Sequence, residues 1–194
     1  NYTDGALVGL EQHFAVCDAV INLIGILNET SKHSFQKLHV EVPQQIINAC
    51  KASGVKRILH MSALNADIQG ASHYLRSKGA GEQLMLSAQG EGLAVTLFKP
   101  SIIFGEDDNF INRFSKLIKI SPLIFPLACH DAKFAPVYVG DVVSVMADAL
   151  TNGRSIGKVY ELCGSKIYTL HEIVNYILQL TGRHRYIIKM GKLL

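Results

Sequence analysis

Short, strongly apolar runs alternate along the chain with longer stretches in which apolar residues follow a helical period. The apolar runs lie at 18–25, 57–62 and 94–99, and the helical stretches lie at 33–53 and 74–89. Continuous apolar runs of this length are typical of parallel strands buried on both faces, and the longer stretches are typical of the helices that cover them. The rhythm therefore predicts successive β-α-β units around a parallel sheet.

Two of the predicted helices have recognisable ends. The helix within 33–53 is expected to stop at Gly54, which places the next strand at 57–62. Further along, Thr169 and Glu172 have the spacing of a capping box before a run of apolar residues at helical positions. The sequence therefore predicts a further helix that begins near residue 170.

The pattern loosens between Pro100 and Gly157. Residues 105–109 have the composition of a loop, and prolines interrupt short elements after it. We therefore predict an α/β fold with a Rossmann-type doubly wound parallel sheet and a small C-terminal substrate-side subregion, mainly within 100–194.

Composition excludes several classes of function. The chain is 48% hydrophobic and 18% charged, with a net charge of +3. Its lysines and arginines are scattered and form no basic run, so we expect no nucleic-acid partner. The four cysteines lack close pairs and the histidines lack ligand spacing, so free thiols and no metal are expected. No uncharged apolar stretch reaches membrane-spanning length, and the first residues resemble neither a signal peptide nor a transit peptide.

The strongest candidate for chemistry is the set Ser62, Tyr74 and Lys78. Ser62 ends a predicted strand, and Tyr74 and Lys78 lie four residues apart on one face of the following helix. A lysine ammonium beside a phenol favours the phenolate, and a serine hydroxyl can hold a substrate oxygen, so the three could transfer a proton during hydride transfer. Taken alone, the Tyr-xxx-Lys pair also fits a solvated helix surface. The position at the carboxyl ends of parallel strands favours the catalytic interpretation.

Two further strand ends could line a cofactor. The first is the stretch Asn22, Leu23, Ile24 and Gly25, where a glycine permits close approach of a ligand to the backbone. The second follows the third strand and comprises Lys99, Pro100, Ser101 and Ile102, where the proline turn could present backbone groups to a nicotinamide. An ordinary strand-to-loop glycine and a plain turn are the alternatives for these two stretches.

Taken in order, these residues resemble an extended or atypical short-chain dehydrogenase/reductase. Four stretches are more narrowly similar to the nucleotide-binding accessory subunit family of respiratory complex I, the alpha subcomplex subunit 9 family, and to its bacterial relatives. These stretches are His39-Val40-Glu41-Val42-Pro43-Gln44, Ser62-Ala63-Leu64-Asn65-Ala66, Tyr74-Leu75-Arg76-Ser77-Lys78 and Phe104-Gly105-Glu106-Asp107. The resemblance runs from about residue 4 to residue 182.

The resemblance implies that residues 1–194 form a partial NAD(P)-binding Rossmann domain whose first β-α units, with the phosphate-binding loop, precede residue 1. It also implies a bound dinucleotide, NADP(H) or NAD(H), and a role in complex I stability or quinone metabolism without established turnover. It implies partners among respiratory complex I or quinone-pathway proteins at the membrane surface. The location would be cytoplasmic or peripheral on the inner membrane in a bacterium, and on the matrix side of a mitochondrion in a eukaryote. The residues implied to lie at the cofactor are Asn22, Leu23, Ile24, Gly25, Met61, Ser62, Tyr74, Lys78, Lys99, Pro100, Ser101 and Ile102.

Two departures from the family pattern leave two functions open. The residues that choose between NAD and NADP are absent from the sequence, and His39 stands where extended enzymes often place an asparagine that orders a relay water. Gly79 and Gly81 lack the third glycine of a dinucleotide motif and are predicted to serve close helix packing. The first hypothesis is a nucleotide-binding subunit. The alternative is an active NAD(P)-dependent oxidoreductase or an epimerase/dehydratase that uses Ser62, Tyr74 and Lys78.

Overall fold

The computed structural model of the protein describes residues 9–190. The helices are α1 (Leu10–Phe14), α2 (Val42–Ser53), α3 (His73–Gly90), α4 (Ile111–Ile120), α5 (Val139–Thr151) and α6 (Leu170–Leu180). The strands are β1 (Ala19–Asn22), β2 (Arg57–Met61), β3 (Ala94–Pro100), β4 (Ile103–Phe104), β5 (Ile124–Leu127), β6 (Lys133–Phe134), β7 (Val137–Tyr138), β8 (Val159–Leu162), β9 (Tyr168–Thr169) and β10 (Tyr186–Lys189). A π-helical turn, Lys37–Glu41, leads into α2, and a 3₁₀ turn, Gly153–Ser155, follows α5.

The chain divides into two compact units. The first comprises the described part of Asn1–Pro100 together with Ser144–Leu162, and the second comprises Ser101–Val143 with the described part of Cys163–Leu194. The first unit contains the sheet and helices that the apolar rhythm predicts. The second contains the less regular region after residue 100.

The first unit is built on a parallel sheet in the order β1-β2-β3-β8. Asn22 pairs with His60 at the carboxyl end of β1, and Met61 pairs with Phe98 one strand further on. The three strands predicted from the apolar runs and their parallel direction are therefore confirmed. The strand β8 is not predicted, because it is four residues long and its side chains are half-buried or exposed, so it carries no continuous apolar signal.

Both faces of this sheet are covered within the first unit. On one face the strands and the helices α2 and α3 form a core of buried apolar side chains: Val20, Leu38, Val42, Ile46, Ile47, Cys50, Val55, Ile58, Met85, Ala88, Leu93, Val95 and Leu97. On the other face, Arg57 of β2 donates to the carbonyl of Ala149 in α5 at 2.6 Å. Double coverage is the reason that apolar residues predominate in these strands.

The helix ends follow the sequence signals. Gly54 ends α2 in the left-handed region, with φ of 84°, which a glycine adopts without the steric cost of a Cβ atom. Ser72 caps α3 by accepting from the backbone N–H of Leu75 at 3.1 Å. Gly79 and Gly81 pack as predicted, because a Cβ at Gly79 would meet the backbone of Asp67. A Cβ at Gly81 would meet the carbonyl oxygen of His39.

The second unit has its own small core and three strand pairs. The pairs β4-β7 and β5-β10 are parallel, and β6-β9 is antiparallel. The buried side chains are Ile118, Phe125, Leu127, Leu170, Ile173, Val174, Ile177 and Leu178. The predicted capping box of α6 is confirmed, since the N–H of Glu172 donates to the hydroxyl of Thr169 and the N–H of Thr169 donates to the Glu172 carboxylate.

Candidate dinucleotide site

Lys78 is the centre of the candidate site. The side chain leaves the buried face of α3 and is 5% exposed, and its ammonium donates to the carbonyl of Met61 at 2.7 Å. Within residues 9–190 it makes no other hydrogen bond and forms no ion pair. Burial lowers the pKa of Lys78 to about 8, although the Glu82 carboxylate one turn along the helix opposes that shift. The ammonium thus has two donor positions that the described chain leaves without an acceptor.

Tyr74 lies one turn before Lys78 and packs in an aromatic cluster. Its ring makes edge contacts with Phe35 and His39, at centroid distances of 5.9 and 5.6 Å. The phenol has no hydrogen-bond partner within the described chain. Burial raises the pKa of Tyr74. In this geometry burial opposes the phenolate that the sequence analysis expects, and the Lys78 ammonium is bonded to the Met61 carbonyl.

Ser62 is buried, and its hydroxyl already forms a hydrogen bond within the protein. It donates to Oε2 of Glu82 at 2.9 Å, while Oε1 of the same carboxylate pairs with Nζ of Lys99 at 3.1 Å. Lys99 also donates to the carbonyl of Ala66 at 3.3 Å. The structure therefore brings Ser62 and Lys99 together at the ends of β2 and β3, where both bind the carboxylate of Glu82. Glu82 is not among the site residues predicted from the sequence.

Asn22 has both polar groups of its side chain bonded inside the first unit. Its Nδ2 bonds Nδ1 of His60 on the neighbouring strand at 2.9 Å, and its Oδ1 accepts from the N–H of Ile24 at 3.0 Å. Since His60 accepts at Nδ1, the ring is neutral, and burial lowers its pKa to about 3. Asn22 thus fixes the turn that leads to Gly25.

His39 fastens the loop after β1 to α3. Its Nε2 accepts from the N–H of Ile26 at 3.1 Å, and its Nδ1 bonds the hydroxyl of Ser77 at 2.8 Å. These bonds place the ring proton on Nδ1, and burial and the nearby Lys78 lower the pKa of His39 to about 4. Both ring nitrogens are occupied by the protein, so His39 in this geometry does not order a relay water.

Gly25 opens space beside these groups. A Cβ built on it would lie 3.6 Å from both Nε2 of His39 and Nζ of Lys78, at ordinary contact distance. The bare backbone of Gly25 therefore leaves room next to the buried ammonium. A ligand that reaches Lys78 along the carboxyl ends of β1 and β2 would use this room.

The remaining predicted site residues lie in three places. Leu23 is exposed, Ile24 is half-buried, and both belong to the turn that Asn22 fixes. Met61 contributes its carbonyl to Lys78, and Pro100 is buried at the end of β3. Ser101 and Ile102 belong to the second unit, where the Ser101 hydroxyl accepts from the N–H of Ala135 and the Ile102 carbonyl accepts from the N–H of Val137.

Glu82 and His60 are the polar residues at these strand ends that sequence reasoning misses. Glu82 lies four residues after Lys78, the spacing of a neighbouring turn on the same helix face, and this spacing could have marked it. His60 lies within an apolar strand, where nothing in its spacing reveals Asn22 as its partner. Over residues 9–190, no cluster of His, Cys, Asp and Glu could hold a metal ion, and no helix is long and apolar enough to cross a bilayer.

A parallel α/β sheet with a Tyr-xxx-Lys helix at the carboxyl ends of its strands defines a protein of the Rossmann type. The model of the NAD dependent epimerase/dehydratase family matches residues 3–163. The chain therefore belongs to the NAD dependent epimerase/dehydratase family.

Among curated relatives, the chain is similar to the mitochondrial NADH dehydrogenase [ubiquinone] 1 alpha subcomplex subunit 9 of Mus musculus. The two are 36% identical over 168 residues, which cover 86% of this chain and 43% of the relative. The subunit of the same name from Arabidopsis thaliana is 34% identical over 161 residues, which cover 82% of this chain and 39% of the relative. The chain thus spans less than half the length of these relatives.

The fold also matches solved enzymes at low sequence identity. MoeE5, solved in complex with UDP-glucose and NAD, superimposes with a TM-score of 0.80 at 18% identity, over 95% of this chain and 69% of that chain. The match confirms the predicted Rossmann-type architecture.

Proposed function

We propose that the chain forms the nicotinamide side of a dinucleotide site, and that the protein binds NADP(H) or NAD(H) as a subunit acting in respiratory-complex stability or quinone metabolism. The observation that carries the proposal is the buried ammonium of Lys78, whose one described bond is to the Met61 carbonyl. Burial of a cation that forms no direct ion pair costs free energy, so the fold retains an unfavourable group at this position. A ligand with hydroxyl or phosphate oxygens would offset that cost.

The residues present fit such a ligand. Lys78 would donate to ribose hydroxyls, Gly25 would admit the ligand to the backbone, and Tyr74 would face the nicotinamide ring. The dinucleotide, when bound, supplies hydride chemistry, and the chain supplies binding and orientation. Asn22 and His39 hold the loop that carries Gly25, so their part is to maintain the shape of the site.

The relatives support this reading of the protein's role. Their printed names place them in mitochondrial NADH dehydrogenase, which suggests respiratory complex I as a partner and the matrix side as a location in a eukaryote. The family name supports NAD, and MoeE5 was solved with NAD. The proposal extends these properties to this chain and leaves both nucleotides as ligands to be compared.

The availability of the Tyr74 phenol favours a second candidate, an active oxidoreductase or epimerase/dehydratase. A phenol with no described partner and a raised pKa is neutral at physiological pH, and a neutral phenol can give a proton to a substrate oxygen. Against this candidate, the Ser62 hydroxyl already donates to Glu82 and has no second proton to offer a substrate carbonyl.

The test is nucleotide titration of the full-length protein with Lys78→Met. Loss of a charge-assisted hydrogen bond costs about 1.5 to 3 kcal/mol, so the Kd for NAD(P)H should rise by about 10- to 150-fold. The exposed Lys56 provides the matched control, and Lys56→Met should leave the Kd unchanged. An unaltered Kd in Lys78→Met, or no binding by the wild-type protein, would overturn the proposal.

The same preparation separates the two candidates through Tyr74→Phe. An active reductase should lose about 10²- to 10⁴-fold in turnover of quinone, aldehyde or sugar-nucleotide substrates while its nucleotide affinity is kept. A binding subunit should support respiratory complex activity in a deletion strain equally well with either residue.

A further inference from the structure

Glu82 is the carboxylate at this site that no part of the proposed function uses. It projects from α3 towards the ends of β2 and β3, and its side chain is 13% exposed. One oxygen accepts from the Ser62 hydroxyl and the other pairs with the equally buried Lys99. A carboxylate that accepts a hydrogen bond at each of its oxygens is held in one orientation.

The two partners of Glu82 lie on a backbone that is itself fixed. The N–H of Ser62 donates to the Phe98 carbonyl at 2.7 Å, and the N–H of Leu64 donates to the Pro100 carbonyl at 2.9 Å. The chain after β2 therefore continues the ladder to β3. The backbone of Ser62 is therefore fixed by hydrogen bonds, and the bond to Glu82 in turn fixes the direction of the Ser62 hydroxyl proton.

Glu82 also acts on Lys78. The two residues are four apart on α3, and the negative charge of Glu82 stabilises the charged form of Lys78 against the effect of burial. Within residues 9–190, the ionisable neighbours of Lys78 also include His39 on the π-helical turn, His60 on β2 and Tyr74 on α3. The histidines are neutral above pH 7 and the phenol titrates at high pH, so in mildly alkaline solution Lys78 is the member of this group that changes charge.

We propose that Glu82 is a positioning residue of the dinucleotide site, which fixes the Ser62 hydroxyl as an acceptor and keeps the Lys78 ammonium charged for the ligand. This inference rests on the proposed function. It assigns Ser62 a defined chemical role, because a hydroxyl that donates to Glu82 can accept a hydrogen bond from a ligand hydroxyl but has no proton for a ligand carbonyl.

The test is the pH dependence of NAD(P)H affinity in the full-length protein with Glu82→Gln. The wild-type affinity should fall as pH rises through about 8, where Lys78 loses its charge. In Glu82→Gln the midpoint of that fall should move down by about one pH unit, because an opposite charge has been removed from the vicinity of the ammonium. Glutamine has the shape of glutamate, so packing is preserved.

The matched control is Lys99→Met, which breaks the same ion pair but leaves the carboxylate in place. A structural role for the pair would weaken binding in both variants without moving the midpoint in either. The proposal requires a lower midpoint in Glu82→Gln and no downward movement in Lys99→Met. Wild-type pH dependence with an unmoved midpoint in Glu82→Gln would overturn this inference alone, whereas absence of nucleotide binding by the wild-type protein would overturn the proposed function.

Discussion

Two cations lie at opposite ends of β2, and the protein supplies them with very different numbers of hydrogen-bond acceptors. Arg57, at the amino end of β2, donates to the carbonyls of Ala94 and Ala149 and to the hydroxyls of Thr96 and Ser155, at 2.6 to 2.8 Å. Lys78, near the carboxyl end of the same strand, donates to the Met61 carbonyl. Burial lowers the pKa of both groups.

The difference separates a structural cation from a functional one. A guanidinium whose two terminal nitrogens both donate to acceptors in the fold ties strands and helix together and has little left for a ligand. An ammonium with free donor positions raises the free energy of the folded protein until a ligand supplies acceptors. Position agrees with this division, because ligands of open α/β sheets bind at the carboxyl ends of the strands.

The largest effect expected from this comparison is on stability at the amino end. Arg57→Ala should lower the free energy of unfolding by about 3 to 5 kcal/mol, because several buried acceptors lose a charged donor at once. The Kd for NAD(P)H of the folded protein should remain unchanged. Urea denaturation and nucleotide titration measure the two quantities, with Lys56→Ala as the exposed neighbouring control.

A weaker nucleotide affinity in Arg57→Ala, with stability retained, would contradict the assignment of Arg57 as a structural cation. It would mean that the amino end of the sheet contributes to the ligand site and that the hydrogen bonds of Arg57 add little to folding.

The second effect is a pH dependence of stability at the carboxyl end. The pKa of Lys78 is about 8 in the folded protein and 10.5 when unperturbed, so the folded state binds this proton less tightly than the unfolded chain. The burial of charged Lys78 therefore lowers the free energy of unfolding by its full amount below pH 8, and this loss disappears as the pH rises towards 10.5. It amounts to about 3 kcal/mol.

Comparison with Lys78→Met isolates this contribution. Burial raises the pKa of Cys50 to about 11 and also raises that of Tyr74, and both groups oppose Lys78 by lowering stability in alkaline solution. The variant should therefore be more stable than the wild-type protein at pH 7, and the difference between them should shrink as pH rises to 10. A difference that is constant between pH 7 and pH 10 would show that Lys78 is not buried as a charged group.

The same comparison explains which parts of the molecule the sequence predicts. Strands β1 to β3 are apparent because most of their positions are buried and apolar, and Gly54 and the Thr169 cap act through local geometry. The tyrosine and lysine are found because helix periodicity brings them together.

Hydrogen bonds between side chains of different strands and helices leave no pattern of this kind along the sequence. The register that pairs Asn22 with His60, and the approach of Glu82 to Ser62, depend on how strands and helix pack, which spacing along the chain does not encode. For the same reason the spacing of Tyr74 and Lys78 does not reveal that burial opposes a phenolate at Tyr74. The spacing gives the neighbour but not the degree of burial that decides the charge.

The smallest expected effect concerns Gly25, and it tests whether the space beside Lys78 belongs to the ligand. A Cβ at Gly25 would lie at ordinary contact distance from Lys78 and His39, so Gly25→Ala should change the free energy of unfolding by less than about 1 kcal/mol. If the dinucleotide occupies that space, the same methyl group should raise its Kd about tenfold, which corresponds to about 1.4 kcal/mol. Gly90→Ala is the matched control, because a Cβ there meets no atom within 4 Å at the end of α3. Isothermal titration of the three proteins with NADPH and NADH gives the comparison, and equal affinities for Gly25→Ala and Gly90→Ala would place the ligand elsewhere than beside the buried ammonium.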